Sequence, residues 1–99
     1  MVEYKIFFSK KANKHKKLLS NAGLQNKVKT LINILKQDPY EQSYHYEQLK
    51  YGLSGLYSRR INYQHRLVYE VDEKNKEITI YSMWSHYEKL WFHMKEGYF

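Results

Sequence analysis

The sequence predicts an α+β fold in which one strand, two helices and then three closely spaced strands build a sheet with a single helical layer. Three observations predict it. Residues 2 to 8 alternate, two lysine-rich stretches repeat apolar residues at helical spacing, and three strand-like runs separated by turn material follow residue 55. In the first element Val2, Tyr4, Ile6 and Phe8 share one face and Glu3, Lys5 and Phe7 the other. Ser9 then offers an N-cap to a helix from Lys10 to about Ala22, with Ala12, Leu18, Leu19 and Ala22 as a thin apolar stripe among lysines. Gly23 breaks it. Leu24, Val28, Leu31, Ile32 and Leu35 form a stronger amphipathic stripe, which Asp38-Pro39 stops. Beyond Pro39 come tyrosines and turn residues, including Gly52 and Ser54-Gly55, and then strands over Leu56 to Tyr63, Arg66 to Val71 and Glu77 to Met83, an antiparallel meander. Asp72 to Lys76 reads as a turn, and Asn62 to His65 must reverse the chain in a very short loop.

With 99 residues the chain has material for one core, so residues 1–99 are read as a single domain. The absence of cysteine excludes a disulfide framework, a thiolate zinc site and a cysteine nucleophile. No apolar run approaches the roughly 18 to 20 residues of a membrane span, and Met1 to Lys5 carries no basic region followed by an apolar stretch, so a cytoplasmic protein without a membrane partner is expected. The net charge of +7 is unevenly placed: nine lysines and no Asp or Glu lie between Tyr4 and Gln37, leaving the remainder at −2. An arm this one-sided suits a polyanion, RNA or DNA, although solvated helix faces carry lysines as well.

All three arginines, Arg59, Arg60 and Arg66, fall within eight residues, whereas the helices use lysine alone. A guanidinium fork can hold two phosphate oxygens in fixed geometry, which lysine cannot. The competing reading pairs these arginines with Glu70, Asp72 or Glu77 across the sheet. Glu47, His65, His86 and Tyr87 can converge on the same region once the meander folds. A carboxylate, an imidazole and guanidiniums suffice for RNA scission, in which a 2′-hydroxyl loses a proton, attacks phosphorus and expels a 5′-oxygen that needs a proton back. No metal or cofactor is required, and no carboxylate or thiol stands at a familiar ligand spacing beside His65 or His86. Hairpin register decides whether the arginines cooperate. An odd loop of Asn62, Tyr63 and Gln64 puts Arg60 and Arg66 on one face, and a two-residue turn separates them.

The runs Glu47-Gln48-Leu49-Lys50, Leu53-Ser54-Gly55-Leu56-Tyr57-Ser58-Arg59-Arg60-Ile61, His65-Arg66-Leu67-Val68-Tyr69 and His86-Tyr87 resemble the YoeB (Txe/YoeB) family of the RelE/ParE superfamily, closely in the C-terminal half and only in layout before it. The resemblance implies a RelE-like β-α-α-β-β-β fold and a type II toxin that cleaves messenger RNA on the ribosome without metal. It implies Glu47 as general base, His86 as general acid, Arg66 as stabiliser of the phosphorane-like transition state, Arg60, Lys50 and Arg59 as phosphate-binding groups, and Tyr87 as the residue orienting the scissile nucleotide. The partners it implies are a cognate YefM/Phd-like antitoxin, the ribosome and mRNA, with DNA reached only through the antitoxin complex, and it allows a homodimer. The alternatives are a ParE-like toxin that acts on a topoisomerase and cleaves nothing, and a basic RNA- or ribosome-binding module. Two departures stand out. His45-Tyr46 replaces the Gly-Lys-Pro lead-in usual before the glutamate, and a tail of twelve residues, Glu88 to Phe99, follows the His-Tyr pair as a C-terminal extension.

Overall fold

A computed structural model describes residues 3–84. Strand β1 (Lys5–Phe8) is shorter than the alternating segment, but its faces are the expected ones: Tyr4, Ile6 and Phe8 pack on the core while Lys5 and Phe7 are exposed. Ser9 ends the strand and starts helix α1 (Lys10–Asn21), its hydroxyl accepting the Ala12 N–H at 3.0 Å and donating to the Tyr81 carbonyl at 2.9 Å. The buried stripe of α1 is Ala12, His15 and Leu19, at spacings a helix places on one side. Leu18 and Ala22, expected in that stripe, are exposed, and His15 occupies the place between Ala12 and Leu19. At the helix end Gly23 has φ +75°, its N–H donates to Ser20 O and that of Leu24 to Leu19 O, the paired bonds of a Schellman stop. Helix α2 (Gln25–Gln37) buries Val28, Leu31 and Leu35 and ends at Asp38-Pro39. No helix among the described residues is long and apolar enough to cross a membrane.

The remaining strands are β2 (Glu47–Gln48), β3 (Leu56–Arg60), β4 (Arg66–Asp72) and β5 (Glu77–Ser82), with a 3₁₀ turn at Tyr51–Leu53. They form one sheet ordered β1-β5-β4-β3-β2. The expected antiparallel meander, β3-β4-β5, is its centre; β1 adds in parallel beside β5, and β2 adds antiparallel at the other edge. β3 stops at Arg60 rather than Tyr63, because Ile61 turns into the core and the chain reverses there.

Alternation along the strands sorts the sheet into two faces. On one, Leu67, Tyr69, Ile78 and Ile80 meet the stripes of α1 and α2, joined by Ile61 and Met83. On the other, Val68 and Leu56 are covered, among the described residues, by Leu49 and Leu53, carried in by β2 and the 3₁₀ turn. Of the polar residues on this face, Ser58 and Arg66 are buried, Glu47 and Arg60 are half-buried and Glu70 is exposed.

Candidate functional site: an arginine-carboxylate face on the sheet

The hairpin between β3 and β4 sets the site. Asn62 turns the chain by accepting the N–H groups of Gln64 and His65 on its side-chain oxygen, at 2.9 and 2.8 Å, and the Ile61 N–H donates to His65 O at 3.0 Å. The loop proper is therefore Asn62, Tyr63 and Gln64, the odd count, and Arg60 stands directly opposite Arg66. Both arginines are on the face away from the helices, together with Ser58.

β2 brings Glu47 to the same face, because Glu47 is the register partner of Ser58. Arg66, whose side chain is only 11% exposed, places Nη1 3.7 Å from Glu47 Oε1 and donates from the same nitrogen to Ser58 Oγ at 3.4 Å. The Glu47 side chain is 43% exposed, while the guanidinium beside it is largely buried. Arg60 is half-buried beside this pair, and Lys50 is exposed just beyond β2. An ionisable oxygen with a guanidinium behind it and a second guanidinium one register position away can accept a proton and hold a phosphate together.

Arg59 is on the other face. It is fully buried, donating from Nε to Tyr69 OH at 3.2 Å, from Nη1 to Ser43 O at 2.8 Å and from Nη2 to Pro39 O at 3.1 Å. A guanidinium so enclosed has no route to a phosphate chain, and the expectation that Arg59 joins the phosphate-binding group gives way to a structural role. His65 is buried too, stacked on Trp84 with ring centroids 4.0 Å apart, and desolvation lowers its pKa. His86 and Tyr87 lie outside the described residues, as does the tail 88–99.

Beyond the residues expected from the sequence, the structure adds Ser58 as a fixed contact of Arg66 and His15 as a buried acceptor. His15 Nδ1 takes the Met83 N–H at 3.1 Å, so α1 holds the end of β5. Burial, then Lys11 and His65, lower its pKa and favour the neutral ring that can accept. The signal for His15 was present in the sequence as helical spacing with Ala12 and Leu19. Ser58 carried no such signal.

A family model described as the YoeB-like toxin of bacterial type II toxin-antitoxin systems matches residues 6–87. The chain belongs to that family. Toxin YoeB of Synechocystis sp. (strain ATCC 27184 / PCC 6803 / Kazusa) is 38% identical over 66 residues, 67% of this chain and 74% of that protein. With Toxin YoeB of Escherichia coli (strain K12) the match is shorter, 45% identity over 47 residues, 48% of this chain and 56% of that protein. Among solved structures, the YoeB dimer from Staphylococcus aureus superposes with a TM-score of 0.75 at 35% identity, covering 86% of this chain and 99% of that one. The heterotetrameric YoeB-YefM toxin-antitoxin complex from the same organism gives 0.73 at 36%, covering 85% and 98%. Membership of the YoeB-like family thus spans both faces of the sheet and the basic helices, not the C-terminal motifs alone.

Proposed function

We propose that this YoeB-like toxin is a ribosome-dependent endoribonuclease that cleaves mRNA by metal-independent acid–base attack of a 2′-hydroxyl on the adjacent phosphate. The observation that carries the reading is the register of β2, β3 and β4, which sets Glu47, Arg66 and Arg60 on one face of the sheet, away from the helices, with Arg66 3.7 Å from Glu47. Glu47 takes the 2′-hydroxyl proton as the oxygen attacks phosphorus. Arg66 receives the negative charge that grows on the non-bridging oxygens; it is held in advance by Glu47 and Ser58, so little reorganisation opposes it. Arg60 and the exposed Lys50 hold the backbone on either side. His86 protonates the departing 5′-oxygen, and Tyr87 orients the nucleotide. Ser82, four residues before His86 in the sequence, is the register partner of Val68, two residues from Arg66.

The bonds balance without an added reagent. The 2′-O–P bond forms, the P–5′-O bond breaks, one proton leaves to Glu47 and one arrives from His86, giving a 2′,3′-cyclic phosphate and a 5′-hydroxyl. The lysines of α1 and α2, exposed apart from the half-buried Lys36, form a broad positive surface for ribosomal RNA. An antitoxin with an acidic or apolar segment is the partner that would neutralise it, as the YoeB-YefM complex joins toxin to antitoxin in its relative. A ParE-like toxin without nuclease activity has no use for Glu47 and Arg66 side by side, and a plain RNA-binding module has none for a carboxylate on its phosphate-facing surface.

The test uses a message carrying a single 2′-deoxynucleotide immediately 5′ of the mapped cut, presented on translating ribosomes. Cleavage that is lost with the deoxynucleotide is the expected result. Cleavage of the deoxy message at the same phosphate overturns the mechanism.

A further inference from the structure

The segment that delivers Glu47 to its position is an unusual one. β2 is only two residues long and lies at the edge of the sheet, so its own ladder cannot fix where the carboxylate sits. Immediately before it, Tyr44 and His45 both have φ +53°, the left-handed region that is strained for a non-glycine residue. Two such residues in succession persist only where the surroundings hold them.

Those surroundings centre on Arg59. Its guanidinium draws the carbonyls of Pro39 and Ser43 against the sheet, with Tyr69 OH donating a second hydrogen bond to Pro39 O at 2.6 Å. Its cationic carbon lies 5.0 Å from the ring centre of Tyr46, the residue before Glu47, and Tyr46 stacks on Tyr57 at 5.9 Å. The next residue along β3, Arg60, donates its N–H to Tyr44 O at 2.8 Å, and Tyr46 N–H closes on Ser43 O at 3.1 Å. One strand thus grips the lead-in from the helix side through Arg59 and Tyr57, and pairs Glu47 on its other side through Ser58.

We propose that Arg59 is a positioning residue for Glu47: by holding the carbonyls of Pro39 and Ser43 and the ring of Tyr46 it fixes the strained lead-in that aims the carboxylate at the substrate. The proposal rests on the ribonuclease reading. Lysine at this position keeps the charge but cannot reach three acceptors at once. Arg59→Lys therefore lowers the cleavage rate at saturating translating ribosomes by about 10²-fold, the effect of a misaimed group, and leaves the half-saturating ribosome concentration unchanged.

The decisive measurement is a double-mutant cycle with Glu47→Gln. If Arg59 acts through Glu47, Arg59→Lys causes no further loss once the carboxylate is gone. Losses that multiply in the double variant, or a wild-type rate in Arg59→Lys alone, overturn the positioning role. Full activity in Glu47→Gln overturns the acid–base reading and the positioning role with it, so the two failures are told apart. Amide exchange gives a readout that is independent of activity: in Arg59→Lys the Arg60 and Tyr46 N–H groups exchange at least tenfold faster while the central strands stay protected. Unchanged exchange at both amides overturns the proposal. Should Arg59→Lys fail to fold, Tyr69→Phe keeps the ring but removes the hydroxyl shared by Arg59 and Pro39, and the same cycle and exchange pattern apply to it.

Discussion

Arg59 and Arg60 are consecutive residues of one strand, and their surroundings have nothing in common. Arg59 points to the helix side, where it is enclosed by Tyr69, Tyr46 and two backbone carbonyls. Arg60 points to the thinly covered side, opposite Arg66 and beside Glu47. Strand pleating alone makes the division. The lesson concerns charge as much as position. The same side chain is an internal fastener where water is excluded, and on the other face, in the proposed reading, a ligand for substrate phosphate.

Substitutions that reverse this division have graded effects. In the core of the helix side, Leu31→Ala should cost about 4 kcal/mol, because Leu31 is fully buried between helix and sheet, whereas Leu49→Ala in the small cluster of the other face should cost about 2 kcal/mol. Equal losses in denaturant unfolding would mean the two faces are equally well packed. Arg59→Met should cost about 3 kcal/mol, since it strips the donor from Ser43 O and one donor from Pro39 O, while Arg60→Met should stay within about 0.5 kcal/mol. For activity the two differ in kind: Arg60→Met should raise the half-saturating ribosome concentration in a well-folded protein, whereas Arg59→Lys should slow cleavage without changing it.

Acid sharpens the comparison from another direction. His15 and His65, both on the helix side, have pKa values lowered by burial, so the unfolded chain takes up protons that the folded chain resists. Their contribution to stability is complete above the ordinary histidine value of about 6.5 and is lost as pH falls through the depressed folded values. Thermal melts between about pH 7.5 and about pH 5 should therefore show Tm falling by a few degrees, and His15→Gln should shrink that fall. Glu73 acts in a separate window. Hydrogen bonds from Lys76, Tyr40 and Tyr4 hold its carboxyl at about 2, so its contribution is present above the usual 4.5 and declines only below it. A small effect of the opposite sign is expected at Ser43, whose hydroxyl is buried with no hydrogen-bond partner among the described residues. Ser43→Ala should leave stability unchanged or raise it by up to about 1 kcal/mol, measured by the same unfolding titration.

Much of this division was readable before the fold. Ser9, Gly23 and Asp38-Pro39 bound the helices by local chemistry, and the loop count between Arg60 and Arg66 reduced the arginine geometry to two cases. What stayed hidden depends on long-range contacts. β2 is too short to show a period, so the edge strand carrying Glu47 had no signature of its own. Arg59 and Arg60 are chemically identical in the sequence; only the phase of β3 relative to the helices distinguishes them, and a shift of one residue would exchange their roles. His15 was passed over because Leu18 and Ala22 are the more apolar residues. The helix nevertheless turns toward the sheet the side that lets an imidazole accept the Met83 N–H.

The central claim is that the face carrying Glu47 and Arg66 performs the chemistry while the face carrying Arg59 supports it. It is tested most directly by the rate of transcript cleavage on translating ribosomes for Glu47→Gln and Arg66→Met, each checked for intact folding. Losses of about 10²- to 10⁴-fold in both variants are predicted, as for removal of a positioned base or a preorganised cation. Cleavage at the wild-type rate in either folded variant would contradict it.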